Sequence, residues 1–128
     1  MHENERIIRD AYAAMARGDG RGLATLLTPE TRWIIAGQGP LAGTYAGPDA
    51  IFGLWKEIAA QTGGGLRLEV RDVLANDDRA VVLVHARGNR DGQALDERQV
   101  AVFELAGGKV TTATFIYEDP VAYDEFWS

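Results

Sequence analysis

The chain has 128 residues with 46% hydrophobic and 25% charged positions, which is typical of one soluble globular domain rather than a disordered segment. Its formal net charge is −6 and it has no run of lysine or arginine, which excludes nucleic acid and anionic membrane surfaces as partners. The absence of cysteine excludes disulfides, a thiolate nucleophile and a cysteine-bound zinc. The first residues lack the apolar run of a signal peptide, so we expect a cytoplasmic protein.

The first half of the chain predicts three helices. Apolar residues recur at helical spacing between residues 3 and 17, and Gly18 ends that helix. A short second helix is predicted at 22–27, where a Thr-Pro pair stops it. The third helix, 48–61, has a proline in its first turn and ends at three consecutive glycines.

Strands dominate the rest of the chain. One short strand is predicted at 30–36, and a loop rich in glycine and proline follows at 37–47. After residue 65 the pattern changes to the period-two alternation of four long strands. The last two, within 94–117, are joined by Gly107-Gly108, because both central positions of such a turn favour positive φ. Residues 118–128 form an acidic tail whose aromatic side chains should pack back on the body.

These elements predict an α+β fold in a single domain, 1–128. A strand of about eleven residues spans roughly 35 Å, so a sheet this small must coil around its helices into a cone with an interior cavity open at one end. The continuous apolar run at 80–84 predicts a strand covered on both faces. A two-fold homodimer would supply the outer cover.

Specific motifs accompany this order of elements along nearly the whole chain. They are A-R-G-D at 16–19, R-W-I-I at 32–35, P-L-A-G-T-Y-A-G at 40–47, D-V-L-A-N-D-D-R-A-V-V-L-V at 72–84, L-D-E-R-Q-V-A-V-F at 95–103, G-G-K-V at 107–110 and D-E-F-W at 124–127. The set resembles the nuclear-transport-factor-2-like superfamily, in particular its SnoaL-like and ketosteroid-isomerase-like branch. The resemblance implies a cystatin-like α+β roll, with a cone-shaped curved mixed sheet around three N-terminal helices, as one SnoaL-like domain.

The resemblance does not transfer the best-known chemistry of that branch. Ketosteroid isomerases use an aspartate base and an oxyanion hole of tyrosine plus protonated aspartic acid. By alignment, the base position falls on Ile35 or Ala36, the acid on Gln99, and the tyrosine on Ala11, one residue from Tyr12. This argues against ketosteroid isomerisation itself.

Two other activities of the superfamily also lack their residues. Polyketide cyclases resembling SnoaL place an acid/base aspartate on the last strand, where this chain has Phe115. Epoxide hydrolases of this fold need an Asp-Arg-Asp arrangement for which no matching set occurs. Because members of one fold include enzymes and simple binders, the fold alone does not decide the function.

Three side chains are candidate hydrogen-bond donors to a substrate oxygen. Gln99 shares a face of its strand with apolar residues, and its amide would act as a member of an oxyanion hole. Tyr117 from the hairpin and Tyr12 from the first helix could donate to the same oxygen. The alternative for Gln99 is a buried amide bonded to a neighbour or water, and for the tyrosines a core ring with its hydroxyl at the rim.

His85 is a candidate acid/base, because histidine titrates near neutral pH. The alternation of side chains that places Gln99 on the inner face of the sheet places His85 and Arg87 on the outer face, which argues against this role. No second histidine is available beside it, and we expect no metal and no cofactor.

The remaining acidic residues near the hairpin are predicted to face solvent. Asp96, Glu97 and Arg98 read as a solvated strand edge rather than an acid pair. Glu118 and Asp119 follow Tyr117 and read as the start of a solvated tail, although they could reach a cavity mouth.

Nine further side chains are predicted to line the cavity around a small apolar ligand: Trp33, Ile35, Tyr45, Trp55, Val84, Ala101, Phe103, Ala113 and Phe115. Trp33 and Trp55 would form its mouth and back wall, or else pack in the core. Tyr45 would close over the ligand from the glycine-rich loop.

By resemblance, the predicted function is a cofactor-free isomerisation, cyclisation or dehydration of an apolar carbonyl compound, such as a polyketide- or steroid-like metabolite. Gln99, with Tyr12 or Tyr117, would stabilise the developing oxyanion, each donor contributing about 3 kcal/mol. The sequence offers no convincing base. A non-catalytic binder of an apolar ligand and a structural dimerisation domain with a filled interior are the alternatives.

Overall fold

The computed structural model describes residues 1–128 and contains four helices and six strands. In chain order they are α1 (Glu3–Ala16), α2 (Arg21–Ala24), β1 (Arg32–Ile35), β2 (Gly43–Ala46), α3 (Gly47–Thr62), β3 (Arg67–Ala75), β4 (Arg79–Arg90), β5 (Gln93–Ala106), β6 (Lys109–Tyr117) and α4 (Pro120–Trp127). None of the four helices combines the length and the apolar character needed to cross a bilayer.

The six strands form one mixed sheet in the order β2-β1-β6-β5-β4-β3. β1 runs parallel to β6, and every other neighbouring pair is antiparallel. Register shifts in β3, between Val70 and Asp72, and between Glu104 and Leu105 of β5 bend the sheet as β-bulges do. The predicted α+β fold with a curved mixed sheet is therefore confirmed.

The turn between β5 and β6 follows from its sequence. Gly107 and Gly108 both have positive φ, at 58° and 78°. A two-residue turn of this kind matches the twist of the flanking strands, and glycine adopts it without steric cost. The turn sets the register in which Gln99 faces Tyr117.

The concave face of the sheet packs against the helices. Alternate residues of β5 lie on this face, and most of them are buried in a core cluster of 26 residues. From the helices, Ile8 and Tyr12 of α1 and Ile51 and Leu54 of α3 complete the cluster. The core is thus a layer between the sheet and two amphipathic helices.

Two elements differ from the sequence prediction. β2 lies within the segment predicted as a loop, because its backbone pairs with β1 although its residues show no alternating pattern. α4 forms where only a packed tail is predicted. The side chain of Asp119 caps it by accepting a hydrogen bond from the Ala122 backbone N–H, and a proline occupies its first turn.

Polar anchors hold α4 across the end of β4 and β5. The guanidinium of Arg90 donates to the carbonyl oxygens of Phe126, at 3.0 Å, and Ser128, at 2.7 Å. These bonds satisfy carbonyl groups that a helix C-terminus otherwise leaves unpaired. α4 therefore has a defined position on the sheet.

The glycine-rich loop holds the other side of α4. The backbone N–H of Gln38 donates to a carboxylate oxygen of Asp124 at 3.0 Å. A Cβ at Gly39 would lie only 2.8 Å from the other oxygen and 3.0 Å from the Asp124 Cα, so the loop needs a glycine to come this close. The glycine-rich loop and the Arg90 hydrogen bonds together place Tyr123 and Trp127 against the concave face.

Candidate functional site

The Gln99 amide lies on the concave face in the middle of a row of paired residues. Val84 on β4 and Tyr117 on β6 are its partners in register, and both are buried. Gln99 itself is half-buried and its side chain makes no hydrogen bond with the protein. Its amide is therefore partly accessible and has no partner within the protein.

Glu97 lies two residues before Gln99 on the same face. It is only 7% exposed, and neither carboxyl oxygen has a hydrogen-bond partner. Burial raises the pKa of this carboxyl to about 7, and the negative charges of Asp119 and Glu118 add to the shift. A buried carboxyl that titrates near neutral pH has the property that a general acid or base requires.

The prediction that Glu97 belongs to a solvated edge is therefore wrong. Its neighbours Asp96 and Arg98 are exposed, as predicted. The physical reason is the alternation of side chains along β5, because the parity that turns Gln99 inward turns Glu97 inward as well. α4 then covers it.

Two tyrosines stack beside this carboxyl. The rings of Tyr117 and Tyr123 lie 3.5 Å apart between centroids and are inclined by 10°. Burial raises the pKa of both, that of Tyr123 to about 12, and the charge of Glu97 contributes to each shift. Both hydroxyls therefore remain protonated donors at physiological pH.

Trp127 completes this group from the last turn of α4. Its ring centroid is 6.1 Å from that of Tyr123, and only 2% of the residue is exposed. The indole Nε1 lies near the Tyr123 hydroxyl, outside strict hydrogen-bond geometry, and acts to lower the pKa of that phenol against the effect of burial. We call Glu97, Tyr117, Tyr123 and Trp127 the buried polar cluster.

The structure separates Tyr12 from the cluster. Its ring packs edge-on against Phe103 at 6.2 Å, and its hydroxyl makes no hydrogen bond with Gln99 or Tyr117. Burial alone raises its pKa. Tyr12 also borders a groove of about 210 Å³, together with Leu68 and Val70 of β3.

Aromatic side chains fill the concave face at the β1 end. Trp33 lies 4.9 Å from Phe115, 5.5 Å from Trp55 and 5.9 Å from Phe103, measured between ring centroids. The predicted lining residues on this face are buried: Trp33, Ile35, Val84, Ala101, Phe103, Ala113 and Phe115. They pack against one another as a core rather than lining a cavity.

Two other predicted lining residues are only partly buried. Trp55 stands beside Phe52 at 5.5 Å and Trp33 at the edge of the core. The Tyr45 hydroxyl donates to the Leu41 carbonyl oxygen at 2.8 Å, which ties its side chain to the glycine-rich loop.

His85 lies on the opposite face of the sheet from Gln99. Its Nε2 is hydrogen-bonded to a carboxylate oxygen of Asp96, and this bond, together with the charge of Arg87, holds the pKa of Asp96 below its ordinary value. The structure therefore places His85 in a surface ion-pair network and not with the other candidate residues.

The outer face also carries an apolar depression of about 620 Å³. Leu83, Val100 and Ile116 pair across β4, β5 and β6 on its floor, and Arg71 and Arg98 stand at its rim. Its lining also includes Val84, Gln99 and Tyr117 of the same three strands. Leu83 is 38% and Ile116 50% exposed. A single chain therefore leaves this outer face uncovered, whereas the sequence analysis predicts that a second copy covers it.

The curved mixed sheet with helices packed on its concave face defines the α+β fold class, and sequence comparison identifies the family. The profile of the SnoaL-like domain matches residues 8–113, and the chain belongs to this family; solved NTF2-like proteins share its fold. Uncharacterized protein Rv0034 of Mycobacterium tuberculosis is 33% identical over 123 residues, which are 95% of this chain and 94% of that protein.

Solved structures agree with the fold. Bal32a, from a soil-derived mobile gene cassette, superposes with a TM-score of 0.92 at 32% identity, over 98% of this chain and 96% of Bal32a. TerC, crystallised with polyporic acid, has a TM-score of 0.83 at 25% identity, over 96% of each chain.

The sequence analysis missed three residues of the buried polar cluster. For Glu97 the signal was the alternation of side chains along β5, which had already placed Gln99 on the inward face. For Tyr123 and Trp127 it lay in their four-residue spacing after an Asp-Pro pair, which is typical of one face of a capped helix.

The raised pKa of Glu97 predicts that its ionisation destabilises the fold. Above an unfolded-state value near 4.5 only the unfolded chain loses this proton, so stability falls between that pH and about 7. Glu97→Gln should remove this dependence and be more stable than the wild type at about pH 8 by roughly 1–3 kcal/mol. Urea denaturation at several pH values measures it. Glu104→Gln, on the outer face of the same strand, is the control, and an unchanged pH profile in Glu97→Gln would contradict the prediction.

Proposed function

We propose that the protein binds a small apolar carbonyl compound on the concave face and catalyses a cofactor-free proton transfer next to that carbonyl. Isomerisation, cyclisation and dehydration of polyketide- or steroid-like metabolites are reactions of this type. The observation that carries the proposal is the buried, unpartnered Glu97 carboxyl on the same strand face as the half-buried Gln99 amide. It supplies the base that the sequence did not reveal.

Each group has a separate task in this mechanism. The Gln99 amide, with the Tyr117 hydroxyl paired opposite it, donates hydrogen bonds to the substrate oxygen. Ionised Glu97 removes a proton from the carbon next to the carbonyl, and negative charge moves to that oxygen. Protonated Glu97 then returns the proton at the same or another carbon, so no proton is lost or gained overall.

The surroundings favour an apolar substrate. Val84 and Ala86 pair with Gln99 and Glu97 on the concave face, and both are buried aliphatic residues. Exclusion of water strengthens every electrostatic interaction with a developing oxyanion. The ligand of TerC, polyporic acid, supports a carbon-rich ligand for this fold.

The two alternatives account less well for Glu97. A structural domain with a filled interior would explain the aromatic packing around Trp33, but buried polar groups of an ordinary core have hydrogen-bond partners. A non-catalytic binder would need Gln99 but gains nothing from a base. Both remain distinguishable from catalysis by experiment.

A homodimer through the outer face belongs to the same proposal. The apolar floor around Leu83 and Ile116 is exposed, and pairs of opposite charge such as Arg98 and Glu118 flank it. In a two-fold dimer the rim of one chain faces the same rim of the other chain, so positive and negative residues can pair across the interface. Light scattering should give twice the chain mass for the wild type and a smaller mass for Ile116→Glu; a monomeric wild type would contradict the dimer.

The proton transfer can be tested with 2-tetralone, an apolar ketone with exchangeable protons next to its carbonyl. We expect the protein to accelerate deuterium uptake, measured by NMR in D₂O, with a rate that rises through a pH of about 7 as Glu97 ionises. Glu97→Gln should lower the rate about 100-fold and Gln99→Leu at least about tenfold.

Glu104→Gln is the matched control, since it alters a carboxylate of the same strand on the outer face. Exchange that is equally fast with Glu97→Gln excludes the mechanism. Binding of 2-tetralone without accelerated exchange identifies the protein as a binder instead.

A further inference from the structure

The carboxyl that would act as the base lies beneath α4, out of contact with solvent. Both carboxyl oxygens of Glu97 are buried, and the residue lines neither the outer-face depression nor the groove at Tyr12. The aromatic side chains further along the concave face pack as a core. A substrate can therefore reach this carboxyl only when an element that covers it moves.

Few hydrogen bonds join α4 to the rest of the molecule. The Arg90 guanidinium donates to two carbonyl groups at its C-terminal end, and the backbone N–H of Gln38 donates to the Asp124 carboxylate. No backbone group of the helix bonds to a strand. The rest of the attachment is the packing of side chains such as Tyr123 and Trp127, so two polar anchors and one apolar face hold the helix in place.

The connection between β6 and α4 has the exposure that a hinge requires. Glu118, Asp119 and Pro120 are all exposed, so their backbone can rotate without displacing packed side chains. The Glu118 N–H donates to the Arg98 carbonyl oxygen at 3.0 Å, which fixes the sheet side of the connection. The Asp119 carboxylate caps the helix itself, so α4 can move as one body.

We propose that α4 is a hinged cover, which rotates about the exposed connection after β6 to admit the substrate to Glu97 and Gln99. The movement separates the Tyr123 ring from the ring of Tyr117, which stays on β6 opposite Gln99. The place that the Tyr123 ring leaves is bordered by Tyr117 and lies close to the Glu97 carboxyl. The inference rests on the proposed function for the substrate, whereas the opening is a property of the free protein.

Ionisation of Glu97 favours the open form. Burial beneath α4 raises the pKa of this carboxyl to about 7, and contact with water in the open form returns the pKa toward its ordinary value of 4.5. Between these pH values the open form loses the proton first, so the opening constant rises with pH, roughly 70-fold from pH 5 to pH 8. The ionisable groups around Glu97 are Tyr117 and Glu118 of the β6 end, Arg98 paired with Glu118, Asp119 of the connection, and Tyr123 and Asp124 of α4.

Native-state hydrogen exchange tests the opening without any substrate. We expect the hydrogen-bonded amides of α4, such as that of Tyr123, to exchange at least about tenfold faster than those of β5, with little change in rate below about 1 M urea. After correction for the intrinsic rate, the α4 exchange should rise with pH in the wild type and not in Glu97→Gln. A single urea-dependent rate shared by α4 and β5, or an opening that does not respond to pH, would overturn the proposal.

Weakening an anchor should increase access to the site. Arg90→Ala should raise the opening constant about tenfold and lower the KM for 2-tetralone by the same factor with kcat unchanged, because apparent affinity follows the populated fraction of the binding-competent form. Asp124→Ala, at the second anchor, should act in the same direction. Arg79→Ala, at the other end of β4, is the matched control and should change neither quantity. An unchanged KM in a variant whose α4 opens more freely would contradict the cover.

These outcomes are separate from those of the proposed function. An α4 that opens as expected in a protein without 2-tetralone exchange would support the movement and contradict catalysis. Catalysed exchange in a protein whose α4 amides exchange only by global unfolding would support catalysis and contradict the cover.

Discussion

Desolvation of one carboxyl group by the C-terminal helix is the constraint on which the site depends. β5 directs Glu97 to the concave face, but a carboxyl near the end of a strand would remain hydrated if nothing covered it. α4 covers it, held by Arg90 at its C-terminus and by the contact between Asp124 and the glycine-rich loop. The same helix brings Tyr123 and Trp127 next to the carboxyl. The packing of α4 therefore both excludes water from Glu97 and places potential hydrogen-bond donors near it.

An unsatisfied buried acid lowers stability, and the proposed proton transfer would account for its retention. A glutamine or an aliphatic residue at position 97 would avoid an unsatisfied buried group, and ordinary cores avoid such groups. An unsatisfied acid that persists in an otherwise well-packed cluster is typical of functional sites, where local stability is sacrificed. The contrast with His85 is instructive, because that side chain has the more familiar acid/base chemistry but is paired with Asp96 on the opposite face.

Much of the fold was predictable from local signals. Helical periodicity identified α1 and α3, the paired glycines identified the hairpin of β5 and β6, and alternation assigned the inward face of Gln99. β2 was not predictable in this way, because its strand conformation comes from pairing with β1 and not from its own residues. For the site, the inward orientation of Glu97 followed from the same alternation, but its burial did not. That depends on α4, whose position is set by the long-range contacts of Arg90 and Gln38 and not by any local pattern.

The central claim is that Glu97 ionises near neutral pH in the folded protein. Its side-chain carboxyl carbon can be followed by ¹³C NMR across a pH titration of the folded wild type, with the resonance assigned by its loss in Glu97→Gln. The account predicts a midpoint near 7, well separated from those of the exposed glutamates. A midpoint near 4.5, the ordinary value for a hydrated glutamate, would show that the carboxyl is solvated and would contradict the proposed site.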